Sequence, residues 1–81
     1  MFKKKLHYVK VVGERNPFIV GRIVGILDYL SKGGTEAHFT DKENSNILYI
    51  PIMVTDFRFS NIMGYLTAKY KDSRLVKLEF C

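Results

Sequence analysis

At 81 residues, 47% of them hydrophobic and 26% charged, the chain is too short for two domains and too apolar for a disordered one, so residues 1–81 read as a single domain with a modest core. One cysteine, Cys81, excludes an internal disulfide framework and a multi-cysteine zinc site. The formal net charge of +5 is concentrated early, with Lys3, Lys4, Lys5 and Lys10 ahead of the first acid, Glu14. That segment suits an acidic protein, a nucleic acid or an anionic surface, and residues 1–4 are expected to fray.

The first strand is expected over Lys5–Val12 (KLHYVKVV), where β-branched residues alternate with polar ones. No apolar leader precedes it, so an intracellular, cytoplasmic location is expected, with Cys81 a free thiol. Gly13-Glu14-Arg15 makes a short turn. Asn16 then suits a helix N-cap and Pro17 the first helical position, while Gly33-Gly34 supplies the left-handed stop just after Lys32. Between them Ile19, Ile23, Ile26, Leu27 and Leu30 share one face, with Val20 and Val24 at its margin.

The opposite face of this helix carries Phe18, Arg22, Gly25 and Tyr29 in a stripe, with Gly21 and Asp28 beside it. Each helical glycine costs roughly 1 kcal/mol relative to alanine. Aromatic residues and arginine are the types enriched at interface hot spots, so the stripe is a candidate partner-binding surface. The plainer alternative buries Phe18 and Tyr29 under neighbouring loops. Arg22 and Asp28 interrupt the apolar run, which excludes a membrane span here.

A second strand is expected over Thr35–Thr40 (TEAHFT), a polar hairpin loop over residues 41–46, and a third, nearly all-apolar strand over Ile47–Val54. Thr55 or Asp56 caps a second helix, in which Phe59, Ile62, Met63, Leu66 and Tyr70 recur at helical spacing. Asp72-Ser73 turns the chain into a last strand over Arg74–Phe80. The order strand–helix–strand–strand–helix–strand is α+β and specifies the ferredoxin-like βαββαβ arrangement, a four-stranded antiparallel sheet with two helices on one face. Pro51 conflicts with this, because the third strand of that fold is central and proline donates no ladder hydrogen bond. A bulge at Pro51, a strand ending near Ile50, or an edge position would each resolve it.

Parity along the strands assigns the two faces. Val9, Val11, Ala37, Phe39, Leu48, Ile50, Ile52, Val54, Val76, Leu78 and Phe80 are expected beneath the helices. Leu6, Tyr8, Lys10, His38, Ile47, Tyr49, Met53, Leu75 and Lys77 are expected on the open face. That set is greasier than a solvated sheet face should be, and exposed apolar patches mark contact surfaces. A protein partner or a second copy of the chain is therefore the leading expectation. The contact residues are Tyr8, Lys10, His38, Tyr49, Met53 and Lys77 on the sheet, with Phe18, Arg22, Gly25 and Tyr29 on the helix.

Tyr8 on strand one and Tyr49 on strand three are placed in a way that resembles RNA-recognition motifs. This resemblance implies RNA or single-stranded DNA stacked on Tyr8 and Tyr49, with Lys10 and Lys77 on phosphates and Lys3, Lys4 and Lys5 adding charge. Residues 46–50 (NILYI) lack the glycine and second aromatic of the strand-three signature, and Val11-Val12 replaces the usual Asn-Leu. The stretch Val11–Gly34, with its turn into Asn16-Pro17, resembles ACT-type regulatory domains, which implies a ligand-sensing dimer; Phe18 stands where those have a glycine.

Motifs for chemistry are few. Glu36 and His38 could supply two metal ligands, but no third is in sequence reach, and a solvated rim pair is the plainer reading. Gly33-Gly34 closes a helix and so forms no phosphate loop. The start of the first helix, near Arg15, offers free amides to an anion, as every helix does. The expectation is thus a non-enzymatic binding protein with no cofactor, metal, membrane or small-molecule substrate. An inhibitor or adaptor of the kind that phages and mobile elements encode fits by analogy.

Overall fold

The computed structural model describes residues 3–13 and 16–81. In chain order the elements are β1 (Lys5–Gly13), α1 (Pro17–Leu30), β2 (Phe39–Thr40), β3 (Ile47–Val54), α2 (Asp56–Tyr70) and β4 (Val76–Phe80). The strands form one sheet in the order β2-β3-β1-β4, every neighbouring pair antiparallel. This is the ferredoxin-like fold. The expected turn at Glu14-Arg15, and the fraying of Met1-Phe2, lie outside the described residues.

Register explains where the core sits. Val9 faces Ile50 on β3 and Phe80 on β4, and Val11 faces Leu48 and Leu78. Opposed residues point to the same side of a sheet, so these apolar side chains gather on one face. Both helices cover that face: Ile23 and Leu27 from α1, and Phe59, Ile62 and Leu66 from α2, are buried there with Val9, Ile50 and Ile52.

Caps fix the helix ends. The Asn16 side chain accepts from the amides of Phe18 and Ile19 at 3.0 and 3.3 Å, and Thr55 accepts from Arg58 N at 3.1 Å. The stop of α1 differs from expectation. Lys32 itself is left-handed, with φ 55°, followed by Gly33 at φ 81°. Gly34 has a different task, since a Cβ there would lie 2.6 Å from the Met53 carbonyl. Gly13, at φ 143°, must also be glycine: a Cβ would run into the Leu75 carbonyl.

Strand two departs most from the sequence reading. Only Phe39 and Thr40 form regular strand; Thr35 makes an isolated bridge to Ile52. From Thr35↔Ile52 to Phe39↔Tyr49 one chain advances four residues (39 − 35) and the other three (52 − 49). One extra residue on this side is a bulge, and it reverses the parity of everything after it. Phe39 therefore lies on the open face, about half exposed; Ala37 is exposed, not beneath the helices; and His38 leaves the open face.

The bulge is also how Pro51 is accommodated. Tyr8 exchanges both backbone hydrogen bonds with Cys81 at 3.0 Å, so its polar groups face β4. Its partner Pro51 must then turn its own backbone groups toward β2. There the Pro51 carbonyl accepts from Glu36 N at 2.8 Å, and the missing proline donor faces the irregular stretch between Thr35 and β2. Strand three runs unbroken through Pro51 in a central position. At the other end of the chain, β4 begins two residues later than expected, because Ser73 Oγ holds the amides of Leu75 and Val76 in a turn.

Candidate functional site

The uncovered sheet face carries a ring cluster that no single strand encodes. Tyr8 from β1, Tyr49 from β3 and Phe39 from β2 meet there. Phe39 and Tyr49 stack with centroids 5.3 Å apart, and Tyr8 stands edge-on to both at 6.4 Å. Such pairs add about 0.5–1.5 kcal/mol beyond their burial. Leu6 and Met53 extend the cluster as direct cross-strand neighbours, 47% and 36% exposed.

Charge on this face is largely compensated. Lys10 lies opposite both Tyr49 and Glu79; its Nζ is 3.4 Å from Glu79 Oε1 and 5.9 Å from the Tyr49 ring centre. The Glu79 carboxylate, chiefly by its charge, raises the Lys10 pKa above the ordinary 10.5. The Tyr49 hydroxyl donates to Asp41 Oδ1 at 3.3 Å, while Asp41 Oδ2 accepts from the amides of Glu43 and Asn44. Lys77, opposite Val12, is exposed.

Five of the six sheet residues expected in contact therefore share one surface: Tyr8, Lys10, Tyr49, Met53 and Lys77. His38 does not; it is exposed beside a hollow with Pro17, Val20 and Leu48, on the helix side of the sheet. Phe39 takes the place given to His38. The sequence held one hint of this in Pro51, whose missing donor requires an irregular neighbour.

A second surface lies on the outside of the helices. Phe18 and Tyr29 are 84% and 83% exposed, so no loop covers them, and Arg22 and Gly25 are exposed between them. A Cβ at Gly21 or Gly25 would touch nothing, so packing within the chain does not require either glycine. Tyr65 of α2, absent from the sequence reading, joins Arg22, Gly25, Ile26, Tyr29 and Leu30 around a hollow of about 500 Å³. Asp28 accepts from the Thr35 hydroxyl at 2.6 Å; Arg22 has no acid partner among the described residues.

The early lysines separate in the fold. Lys5 Nζ sits 3.1 Å from Asp56 Oδ2, and His7, stacked on Phe59 at 4.1 Å, meets Asp56 Oδ1 at 3.0 Å. The hydrogen bond from Lys5, helped by that from His7, holds the Asp56 carboxyl below its ordinary 3.8. Lys3 and Lys4 precede β1 and are exposed. No group of three potential metal ligands occurs among the described residues, so the Glu36–His38 pair gains no third member. Among the same residues no helix is long and apolar enough to cross a membrane. No family model, curated protein or solved structure matches the chain.

Proposed function

We propose that this chain is a small, non-enzymatic binding protein that occupies the surface of an acidic protein partner with the bare face of its sheet. The observation that carries the reading is the Tyr8–Phe39–Tyr49 cluster with Leu6 and Met53 beside it, an apolar patch that neither helix covers. The net charge of +5 favours encounter with an acidic surface, and the patch itself supplies desolvated area. Such a chain acts as an inhibitor or adaptor. Its single, free cysteine suits a reducing cytoplasm.

Protein is favoured over nucleic acid by what the rings and charges already do. Phe39 and Tyr49 spend a ring face on each other, where a base would need it. Lys10 is engaged by Glu79, and Asp41 and Glu79 would sit close to any phosphate backbone on this face. The test is capture from the native host with tagged wild-type chain, a Leu6→Lys/Met53→Lys variant and an Arg22→Glu/Tyr29→Ser variant, each with and without nuclease. The expected result is one protein held by wild type and by the stripe variant, lost from the sheet variant, and indifferent to nuclease. Loss on nuclease treatment would favour the nucleic-acid reading, and loss only from the stripe variant would move the contact to the helices.

A further inference from the structure

A separate feature lies at the junction of three elements, on neither surface described above. Lys4, just before β1, Lys32, just after α1, and Arg58, in the first turn of α2, line one hollow of about 250 Å³ together with Ser31, Val54 and Thr55. None of the three cations has an acid partner among the described residues. The acid nearest Arg58 in sequence, Asp56, is taken by Lys5 and His7. Lys5 and Lys10 each hold a carboxylate, while Arg22, like these three, has no acid partner among the described residues.

At the end of α1 the carbonyls of Leu27, Tyr29 and Asp28 accept from the amides of Ser31, Lys32 and Gly33, at 2.8–3.2 Å. Lys32 adopts φ 55°, a left-handed conformation that favours glycine or asparagine and costs a lysine roughly 1–2 kcal/mol. The chain thus holds a charged residue at a position where glycine would be more stable. Thr55 Oγ1 accepts from Arg58 N at 3.1 Å and has no acceptor for its own proton among the described residues, so that proton can serve a ligand. The planar guanidinium of Arg58 offers parallel donors to two oxygens of one tetrahedral anion.

We propose that this hollow binds one phosphate group, as free phosphate or as a phosphate monoester. The three cations that line the hollow match the charge of a phosphate dianion. Sulfate-free protein is titrated with inorganic phosphate, ribose 5-phosphate or an oligothymidylate lacking a terminal phosphate, at constant ionic strength, while the amide signals of Lys32, Gly33, Thr55 and Arg58 are followed by NMR. Saturable shifts with inorganic phosphate or the ester support the site; tighter binding of the ester identifies a monoester, and equal binding identifies the free group.

Two variants complete the test. Lys32→Gly suits the local backbone and is expected to fold with a melting temperature no lower than wild type. Arg58→Gln keeps the amide that Thr55 caps. Each is expected to weaken phosphate binding roughly tenfold, the effect of losing one charge-assisted hydrogen bond. Absence of saturable shifts, equal binding by the folded variants, or shifts caused by the oligonucleotide alone would overturn the proposal.

Discussion

The two greasy surfaces of this small protein differ in how their aromatic residues are held. On the bare sheet face Tyr8, Phe39 and Tyr49 pack on one another, and the central lysine is paired with Glu79. On α1 Phe18 and Tyr29 project outward, more than four-fifths exposed, near glycines and an arginine with no acid partner among the described residues. The sheet surface is pre-organised: its rings have already lost rotamer freedom on folding, so little more is lost when a partner arrives. The stripe would have to immobilise its side chains at the moment of binding. Exposure alone therefore does not rank the surfaces; the cost of ordering does, and it favours the sheet.

The largest expected effect sharpens that ranking. Leu6→Lys with Met53→Lys should weaken partner binding by more than roughly thirtyfold, the loss of a hot spot of about 2 kcal/mol, in a binding titration. Thermal unfolding should move little, since both side chains are half-exposed. A variant that binds normally would break the comparison in favour of the stripe.

Phe39→Ala should reduce both binding and stability. It removes the ring stacked on Tyr49 and should lower unfolding free energy by roughly 1–2 kcal/mol in urea. Unchanged stability would mean that the ring cluster is not pre-organised.

Gly25→Ala should act in the opposite direction. Its Cβ meets open space, so the variant should gain up to about 1 kcal/mol in the same unfolding assay, with binding intact. Stabilisation accompanied by lost binding would assign the contact to the helix groove.

The smallest effects are electrostatic. Asp56 has a depressed folded-state pKa, so its pairing contributes stability above its unfolded value, and that contribution is lost as pH falls through the lower, folded pKa. Asp56→Asn should flatten the acid limb of a pH–stability profile below about pH 4. Lys10 is the converse case: its pKa is raised, so its contribution is present below 10.5 and lost as pH rises through the higher folded value. Glu79→Gln should remove that alkaline component. Each change should lower stability near neutrality only slightly, because the Lys5–Asp56 pair is exposed and the Lys10–Glu79 pair is partly so.

Much of the architecture was legible because its signals are local. Asn16-Pro17 and Thr55 cap helices whose apolar spacing is visible in the chain, and Ile47–Val54 is strand at the bounds its composition suggests. The two buried helix faces follow from periodicity alone. Other features depend on residues far apart in sequence. The bulge that turns Phe39 outward answers Pro51 across the sheet, and strict alternation through Thr35–Thr40 therefore put His38 in its place. Lys10 meets Glu79 only because β4 docks beside β1 in one register. Tyr65 reaches the stripe through the packing of α2 beside α1, which no periodicity encodes.

Hydroxyl-radical footprinting of the chain, free and bound to its captured partner, tests the sheet-face contact most directly, because it reads side-chain exposure at both surfaces in one sample. Binding is predicted to suppress oxidation of Leu6, Phe39, Tyr49 and Met53 while Phe18 and Tyr29 stay as reactive as in the free chain. Protection of Phe18 and Tyr29, with Phe39 and Met53 unchanged, would contradict the account.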